Sequence, residues 1–418
     1  MPERALTRAG TIALTTSATI KRDLRTGRSL WADSAGLGVP IKSLTQALSV
    51  DVAVVGAGIS GAFMAHELSR DHSVAVLDRR QPLMGSTLAS TAMLQWEIDL
   101  PLTELAERIG AARARRAWLR SFDAVQALER IVTDEGIRCG LARRRSLYLA
   151  GDAYGRRALE AETEARAAIG LDSRWLKAAD LRDQFGVDRT GAILSTGSLS
   201  GDPAQMAAGL LRRAERNGAT VFSPVEVEEA LVDPDGVTLI TDTGLPVRAG
   251  RVVFCCGYEF PKGVPTPGAS VASSWAIASK SRTACPAWLK DMLVWEASDP
   301  YLYMRMGRDG RLIVGGEDEA SATAHEDPDK LKRKCRTLVE KVETLLPGVE
   351  FEVDYAWAAA FGESTTGLPQ IGPVDEDGRI HAVMGVGGNG ITYSVIASQI
   401  VSGAIRGRPD PDADLYRV

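Results

Sequence analysis

The hydrophobic pattern becomes ordered at Asp51. Asp51-Val-Ala-Val-Val55 is an apolar, β-branched run that stops at glycines, which predicts a buried strand ending at Val55. Residues 61–70 have helical spacing and residues 73–77 form a second apolar run. Together they predict a βαβ unit of about 28 residues, with a right-handed crossover and a parallel sheet. Further on, Leu102, Leu105, Ile109, Leu119, Phe122, Val125, Leu128 and Val132 recur mostly at threes and fours, so a long helical stretch is expected. Residues 146–150 read as a strand, and 159–168 and 178–185 as short helices. Residues 202–217 read as a helix capped by Asp202, with Pro203 in its first turn and Gly218 at its end. The period then changes to two. Residues 225–231, 237–241, 247 and 251–255 are predicted strands of a small antiparallel meander, divided by Asp233-Pro-Asp-Gly236 and Thr243-Gly244. Strands at 271–278, 301–306 and 311–314 precede a helix at 328–346.

A chain of 418 residues carries two or three domains, and with no internal repeat or low-complexity linker these are expected to interweave. Hydrophobic content of 45% and charged content of 25% fit a soluble globular protein and exclude disorder as the main state. The net charge of -5 supplies no overall basic field, so nucleic acid is not an expected partner. The arginines at 113, 115 and 116 and at 143–145 read as solvated surface, since no aromatics interleave with them. The longest apolar run, at 50–59, is interrupted by Asp51 and Gly56 and is too short for a transmembrane segment. Residues 1–49 have no apolar signal core and read as an N-terminal extension whose lone aromatic, Trp31, either docks on the main body or folds over a site, or is the one anchoring contact of a partly ordered tail, the reading preferred. Cys139, Cys255, Cys256, Cys285 and Cys335 form no CxxC pair. A reducing cytoplasm is expected, and Cys255 and Cys256, adjacent in an apolar strand, read as buried small hydrophobes rather than a vicinal redox pair.

Gly56-Ala-Gly58-Ile-Ser-Gly61 stands between the first strand and the first helix. There a tight glycine turn lets backbone N–H groups approach a pyrophosphate at the helix N-terminus. The second strand ends in Asp78, about 20 residues on, where a carboxylate can accept both hydroxyls of an adenosine ribose. Arg79 and Arg80 could receive a ribose phosphate, but a free Asp favours an unphosphorylated ribose, hence FAD or NAD. Residues 85–91 (GSTLAST) form a second Gly/Ser/Thr segment, residues 251–257 a strand running into a glycine, and residues 386–392 (VGGNGIT) a glycine loop before an apolar helix.

In this arrangement the chain resembles the D-amino-acid oxidase superfamily of flavoproteins, which includes glycine oxidase, monomeric sarcosine oxidase and γ-glutamylputrescine oxidase. The resemblance covers about residues 51–406. It implies an α/β fold in which a Rossmann-like FAD-binding domain of glutathione-reductase type (50–137, 188–260 and 357–418) interweaves with an antiparallel-sheet substrate domain (138–187 and 261–356). It implies that Gly56, Gly58, Ile59, Ser60 and Gly61 wrap the FAD pyrophosphate, and that Asp78, followed by Arg79, holds the adenosine ribose. Ser86, Thr87, Ser90 and Thr91 would touch pyrophosphate and ribityl, Val225 would clamp the adenine, and Cys256 and Gly257 would replace the usual Thr-Gly. Gly388, Asn389, Gly390, Ile391 and Thr392 would face the flavin pyrimidine, where a helix start can stabilise negative charge on the reduced ring. Relatives link flavin to a cysteine that falls near Ala359 here, so non-covalent FAD is expected. The lysine that helps sarcosine oxidase react with oxygen falls near Ile313, and a second lysine is replaced by Thr392. Oxygen or another acceptor therefore stays open, and a sarcosine oxidase is not expected.

The activity so implied is hydride transfer to flavin from the carbon bearing the nitrogen of a small-molecule amine or amino acid, with hydrolysis of the imine. The cofactor carries the chemistry, so few acids and bases are needed. His66, His72, His325 and His381 show no metal spacing and read as structural. Tyr301, Tyr303 and Arg305 alternate along one strand and so share a face. They form either an aromatic wall with a guanidinium for a substrate carboxylate, or a half-buried strand with a surface arginine. Trp96, Trp275 and Trp357 are candidates for the pocket or the core. Two other readings remain at this point: an NAD(P)-linked dehydrogenase, and a flavin-bound subunit without catalysis that acts as an interaction protein.

Overall fold

The strand that ends at Val55 occupies the centre of a parallel sheet, as its apolar composition requires. The computed structural model describes residues 17–266 and 268–417. Leu48–Val55 lies between Val74–Leu77 and Val247–Phe254, and Thr220–Phe222 and Ile380–Met384 extend the same parallel set outward. The last four residues of the central strand are buried, the pattern of a parallel strand covered on both faces. Gln370–Pro373 closes one edge antiparallel, and the hairpin Val227–Asp233 and Gly236–Thr241 pairs onto Val247–Phe254. Helix Ile59–Leu68 packs against both Pro203–Arg216 and Gly390–Ile405. Its buried Phe63, Met64 and Leu68 join their apolar sides into one core.

A second sheet of ten strands runs in the order Arg25–Arg28, Val353–Ser364, Ala269–Ser279, Leu312–Glu319, Leu302–Met306, Met292–Glu296, Ala142–Leu149, Gly191–Ser200 and Met93–Leu94. Ser173–Lys177 also pairs with Gly191–Ser200. Every pairing is antiparallel except that of Met292–Glu296 with Ala142–Leu149. Helix Pro328–Leu345 lays Leu331, Leu338, Val342 and Leu345 on this sheet. Gly191–Ser200 and Val353–Ser364 both belong to it, so the division between sheets falls inside segments 188–260 and 357–418.

Three expectations are corrected. The helical stretch from Leu102 is two helices, Leu102–Ile109 and Ala111–Asp134, parted at Gly110, whose φ of 88° ends the first. Strands Ser173–Lys177 and Met292–Glu296 carry no clear alternation, and pairing with neighbours, rather than local pattern, makes them strands. The N-terminal extension makes far more than one anchoring contact. Arg25–Arg28 is an edge strand, Ala18 N–H donates to Val227 O (3.0 Å), and Ile20 N–H to Phe260 O (2.9 Å). Trp31 is 6% exposed and its Nε1–H donates to Ser90 O at 2.5 Å. All five cysteines are free, and burial pushes the Cys255 thiol up to about 12, so it behaves as a small apolar group. No helix among the described residues is long and apolar enough to cross a membrane.

Candidate functional site

The turn after Val55 is built for close approach of another molecule's backbone or phosphate. Gly56 has φ of 109°, and a Cβ there would stand 2.4 Å from Cys255 O. A Cβ at Gly61 would stand 1.8 Å from Gly56 O, so the helix start can only close on the strand end if residue 61 is glycine. Asp78 accepts from Ala57 N–H (2.6 Å) and Arg80 N–H (2.8 Å). Its carboxylate therefore ties the two strand ends together. Burial pushes its carboxyl up, and these N–H groups pull it back. Thr87 accepts from Ile59 N–H at 2.9 Å, which brings the second Gly/Ser/Thr segment onto the helix start.

One continuous cavity begins at this turn and ends between the two sheets. Gly56, Gly58, Ile59, Ser60, Asp78, Arg79, Ser86, Thr87, Ser90, Thr91, Val225, Cys256, Gly257, Gly388, Asn389, Gly390 and Ile391 line it. Gly61 and Thr392 lie just behind its wall. Gly61 acts through the close helix–strand contact, and Thr392 Oγ1–H donates to Gln95 O at 2.8 Å. Tyr301 and Tyr303 line the far end with ring centroids 5.6 Å apart, so the strand face they share does turn inward. Arg305 does not line this cavity. Its guanidinium donates to Thr91 O (2.7 Å), Gly201 O (2.9 Å) and Met306 O (3.4 Å) and lies 5.5 Å from the Trp31 ring centre. Trp96, Trp275 and Trp357 are fully buried core, and none of the four histidines reaches the cavity.

Several lining residues were not singled out from the sequence. At the turn end, Arg80 makes a two-pronged contact with buried Glu259 (2.7 and 2.8 Å), and Arg79 lies between Glu226 and Glu259. Thr19 of the extension accepts from Arg79 there. At the far end stand Gln95, Asp99, Ser274, Trp295, Asp318 and Phe361. Asp318 owes its position to a bulge. Between Trp275↔Gly316 and Ser273↔Glu319 its strand holds one residue more than its partner, with Gly316 at φ 133° and Glu317 at φ 62°. Burial lifts the Asp318 carboxyl to about 6, against the pull of Ser274 and Tyr301 nearby. A Cβ on Gly315 would stand 2.3 Å from the Tyr303 hydroxyl, so the Tyr303 ring lies across a strand that only glycine leaves flat. The Gly-Gly pair at 315–316 is a local signal of this chamber beside the alternation of Tyr301 and Tyr303.

The residues present suit a dinucleotide. Positions 56 and 61 leave no space for a Cβ, and two buried polar atoms in the lining, Ser86 Oγ and Arg79 Nη1, have no hydrogen-bond partner in the protein. A parallel glycine-turn sheet, joined across one cavity to an antiparallel sheet with an aromatic chamber, defines a dinucleotide-dependent enzyme of the flavoprotein type. The chain belongs to the DAO family of FAD-dependent oxidoreductases, whose model matches residues 51–403. It is 23% identical to gamma-glutamylputrescine oxidoreductase of Escherichia coli, with 91% of this chain and 89% of that protein covered. In fold it is similar to glycine oxidase from Geobacillus kaustophilus (TM-score 0.72, 21% identity, 87% of this chain and 96% of that one). L-proline dehydrogenase from P. horikoshii superposes with the same TM-score at 16% identity, covering 89% and 97%.

Proposed function

We propose that this FAD-dependent oxidoreductase oxidises the CH–N bond of a small amine, with the substrate seated between Tyr301, Tyr303 and Phe361. The observation that carries this reading is the continuity of one cavity from the glycine turn to that chamber. FAD, when bound, supplies the hydride acceptor. The chain's residues then need only hold it, orient the C–H bond and exclude water. In this reading the glycine turn, Ser86 and Thr87 hold the pyrophosphate, Asp78 the ribose, and Val225 the adenine. The start of Gly390–Ile405, whose first residues line the cavity with no side-chain cap, directs its positive end at the flavin pyrimidine. FAD is held without a covalent bond, since Ala359, where relatives place a linking cysteine, lines the cavity without a nucleophile. The imine leaves the protein and hydrolyses.

The electron acceptor is oxygen or another oxidant. Ile313 is buried beside Trp31, which supports a slow reaction with oxygen and so a dehydrogenase. The working compartment in this reading is the cytoplasm, with no nucleic-acid partner. The test is anaerobic. Purified protein is challenged with amines and with D- and L-amino acids, bleaching of the flavin band is followed, and air is then admitted. Bleaching by one class supports the reading, rapid recovery in air marks an oxidase, and slow recovery a dehydrogenase. A flavin that no amine or amino acid bleaches overturns it in favour of a non-catalytic subunit, and a protein without flavin in favour of a nicotinamide enzyme.

A further inference from the structure

Resting on the reading of amine oxidation, we infer that the chamber selects an amine with a second positive charge, a diamine or longer polyamine, and that Asp99 and Asp318 receive that remote cation. The reacting nitrogen arrives as an ammonium and gives its proton to solvent before reaction, so it is not the charge that keeps them paired. Hydride leaves the adjacent carbon only when the nitrogen lone pair is free, so that nitrogen reacts as the neutral amine. A charge on the substrate that answers the two carboxylates has to stand elsewhere on the molecule.

The chamber supplies no cation of its own. The arginines that line the cavity, Arg79 and Arg80, sit at the glycine-turn end with Glu226 and Glu259, and Arg305 is committed to backbone carbonyls and Trp31. A substrate carboxylate would therefore find no guanidinium among the described lining residues. It would meet two acids instead. Asp99 is open to the cavity, accepts one N–H, from Gly388 (3.1 Å), and forms no ion pair among the described residues. Asp318 also forms no ion pair. Both of its oxygens are shielded from bulk solvent, the groups that pull on it are the neutral hydroxyls of Ser274 and Tyr301, and the charges acting on it are those of Glu363 and Asp99. Burying such a group is costly unless a counter-charge arrives, and a ligand cation offsets that cost.

The walls fit the same ligand. Tyr301 and Tyr303 present faces to an alkyl chain or an ammonium, and Trp295 is fixed by stacking on Tyr148 at 3.6 Å. Glu363 stands close enough to Asp99 and to Asp299 to feel both, and Glu363 and Asp299 are exposed, so the approach is acidic as well. Like-signed groups along an approach draw in the opposite charge.

The experiment uses the holoprotein without oxygen and three compounds that share one four-carbon chain: putrescine, butylamine and γ-aminobutyrate. The concentration that half-saturates flavin bleaching is measured for each. Putrescine should half-saturate at a concentration at least about tenfold below butylamine, with γ-aminobutyrate weakest, as expected for one desolvated ion pair. In Asp318→Asn and in Asp99→Asn the ratio of the butylamine to the putrescine half-saturating concentration should fall most of the way to one, with flavin still bound. Equal bleaching by putrescine and butylamine, or a preference for γ-aminobutyrate, overturns the inference and leaves amine oxidation standing. If none of the compounds bleaches the flavin, calorimetric binding of putrescine to the same holoprotein decides. Tight binding lost in Asp318→Asn supports the acidic site although the amine-oxidation reading fails, and no binding overturns both.

Discussion

The two ends of the cavity treat charge in opposite ways. At the glycine turn every carboxylate has a partner within the chain: Asp78 has two N–H groups, Glu259 has Arg80 and Arg22 N–H, and Glu226 has Lys21 at 2.8 Å. In the far chamber Asp99 has a single N–H and Asp318 has the neutral hydroxyls of Ser274 and Tyr301 nearby, with no cation paired to either among the described residues. At the first end the carboxylates are paired before any ligand arrives, and what stays open is shape, backbone and the donors Ser86 Oγ and Arg79 Nη1. The second is left incomplete, and what it offers is unspent charge, open to solvent at Asp99 and shielded at Asp318, where a counter-charge acts more strongly. A site built from paired groups holds a constant cofactor. A site with unpaired groups discriminates among substrates, because only one kind of substrate completes it.

The sharpest way to break the first half of this contrast is Gly56→Ala. The new Cβ would sit 2.4 Å from Cys255 O on a backbone at φ 109°, and both faults lie in rigid strand ends. Overpacking and a disfavoured φ together cost about 4 kcal/mol, or about a thousandfold in FAD affinity. Flavin content after purification and FAD titration of the apoprotein check this. Unchanged affinity would mean that the turn does not carry the cofactor.

A smaller loss is expected from Arg80→Met, which removes the two-pronged partner of Glu259, a residue only 3% exposed. Leaving that carboxylate short of its main counter-charge costs about 3 kcal/mol. Urea unfolding should show the loss, and adding Glu259→Gln should recover much of it. If the double substitution is no better than the single one, the pair contributes shape alone.

The same contrast explains what could be read from the chain. The turn end is local: strand, Gly56 to Gly61 and Asp78 all fall within one βαβ unit, so spacing reveals them. The chamber is assembled from positions 91–99, 274, 295–318 and 361, joined only by strand register. Tyr301 and Tyr303 were legible because they alternate on one strand, and Arg305 alternates with them. Yet Arg305 turns to Thr91 O and Trp31, contacts that depend on segments more than a hundred residues away in sequence. Asp318 was not legible, because a bulge re-aims it and alternation counted along its strand misplaces every residue beyond Gly316. The N-terminal extension failed for a related reason. Its polar sequence carries no period, and its described part, from residue 17 on, is ordered by the edges it pairs with, residues 1–16 lying outside the described residues.

The finest test of the contrast is the stability of Asp318→Asn as pH changes. In the folded protein the Asp318 carboxyl titrates at about 6, against an ordinary value of 3.8. Its neighbours on every side fail to charge-balance it: Tyr301 and Tyr303 from the adjacent strand, Ser274 from the other, Glu363 beyond that, and Asp99 across the cavity, while Lys334 is engaged with Glu317 and Glu319. A raised carboxyl favours the protonated folded state. Its contribution is fully present below about pH 4 and is lost as pH rises through about 6, so the native protein holds an unpaired charge at neutral pH. Asparagine cannot ionise and escapes that loss. Relative to the parent, Asp318→Asn should therefore gain about 2 kcal/mol between pH 4 and pH 7.5, allowing for some relaxation around the carboxylate. Urea midpoints of both holoproteins at the two pH values measure it. A variant that is less stable than the parent by the same amount at both would mean that Asp318 is satisfied within the chain. A variant that gains stability while losing its preference for the diamine would show the carboxylate held in the chamber at a cost to the fold, for the ligand that completes it.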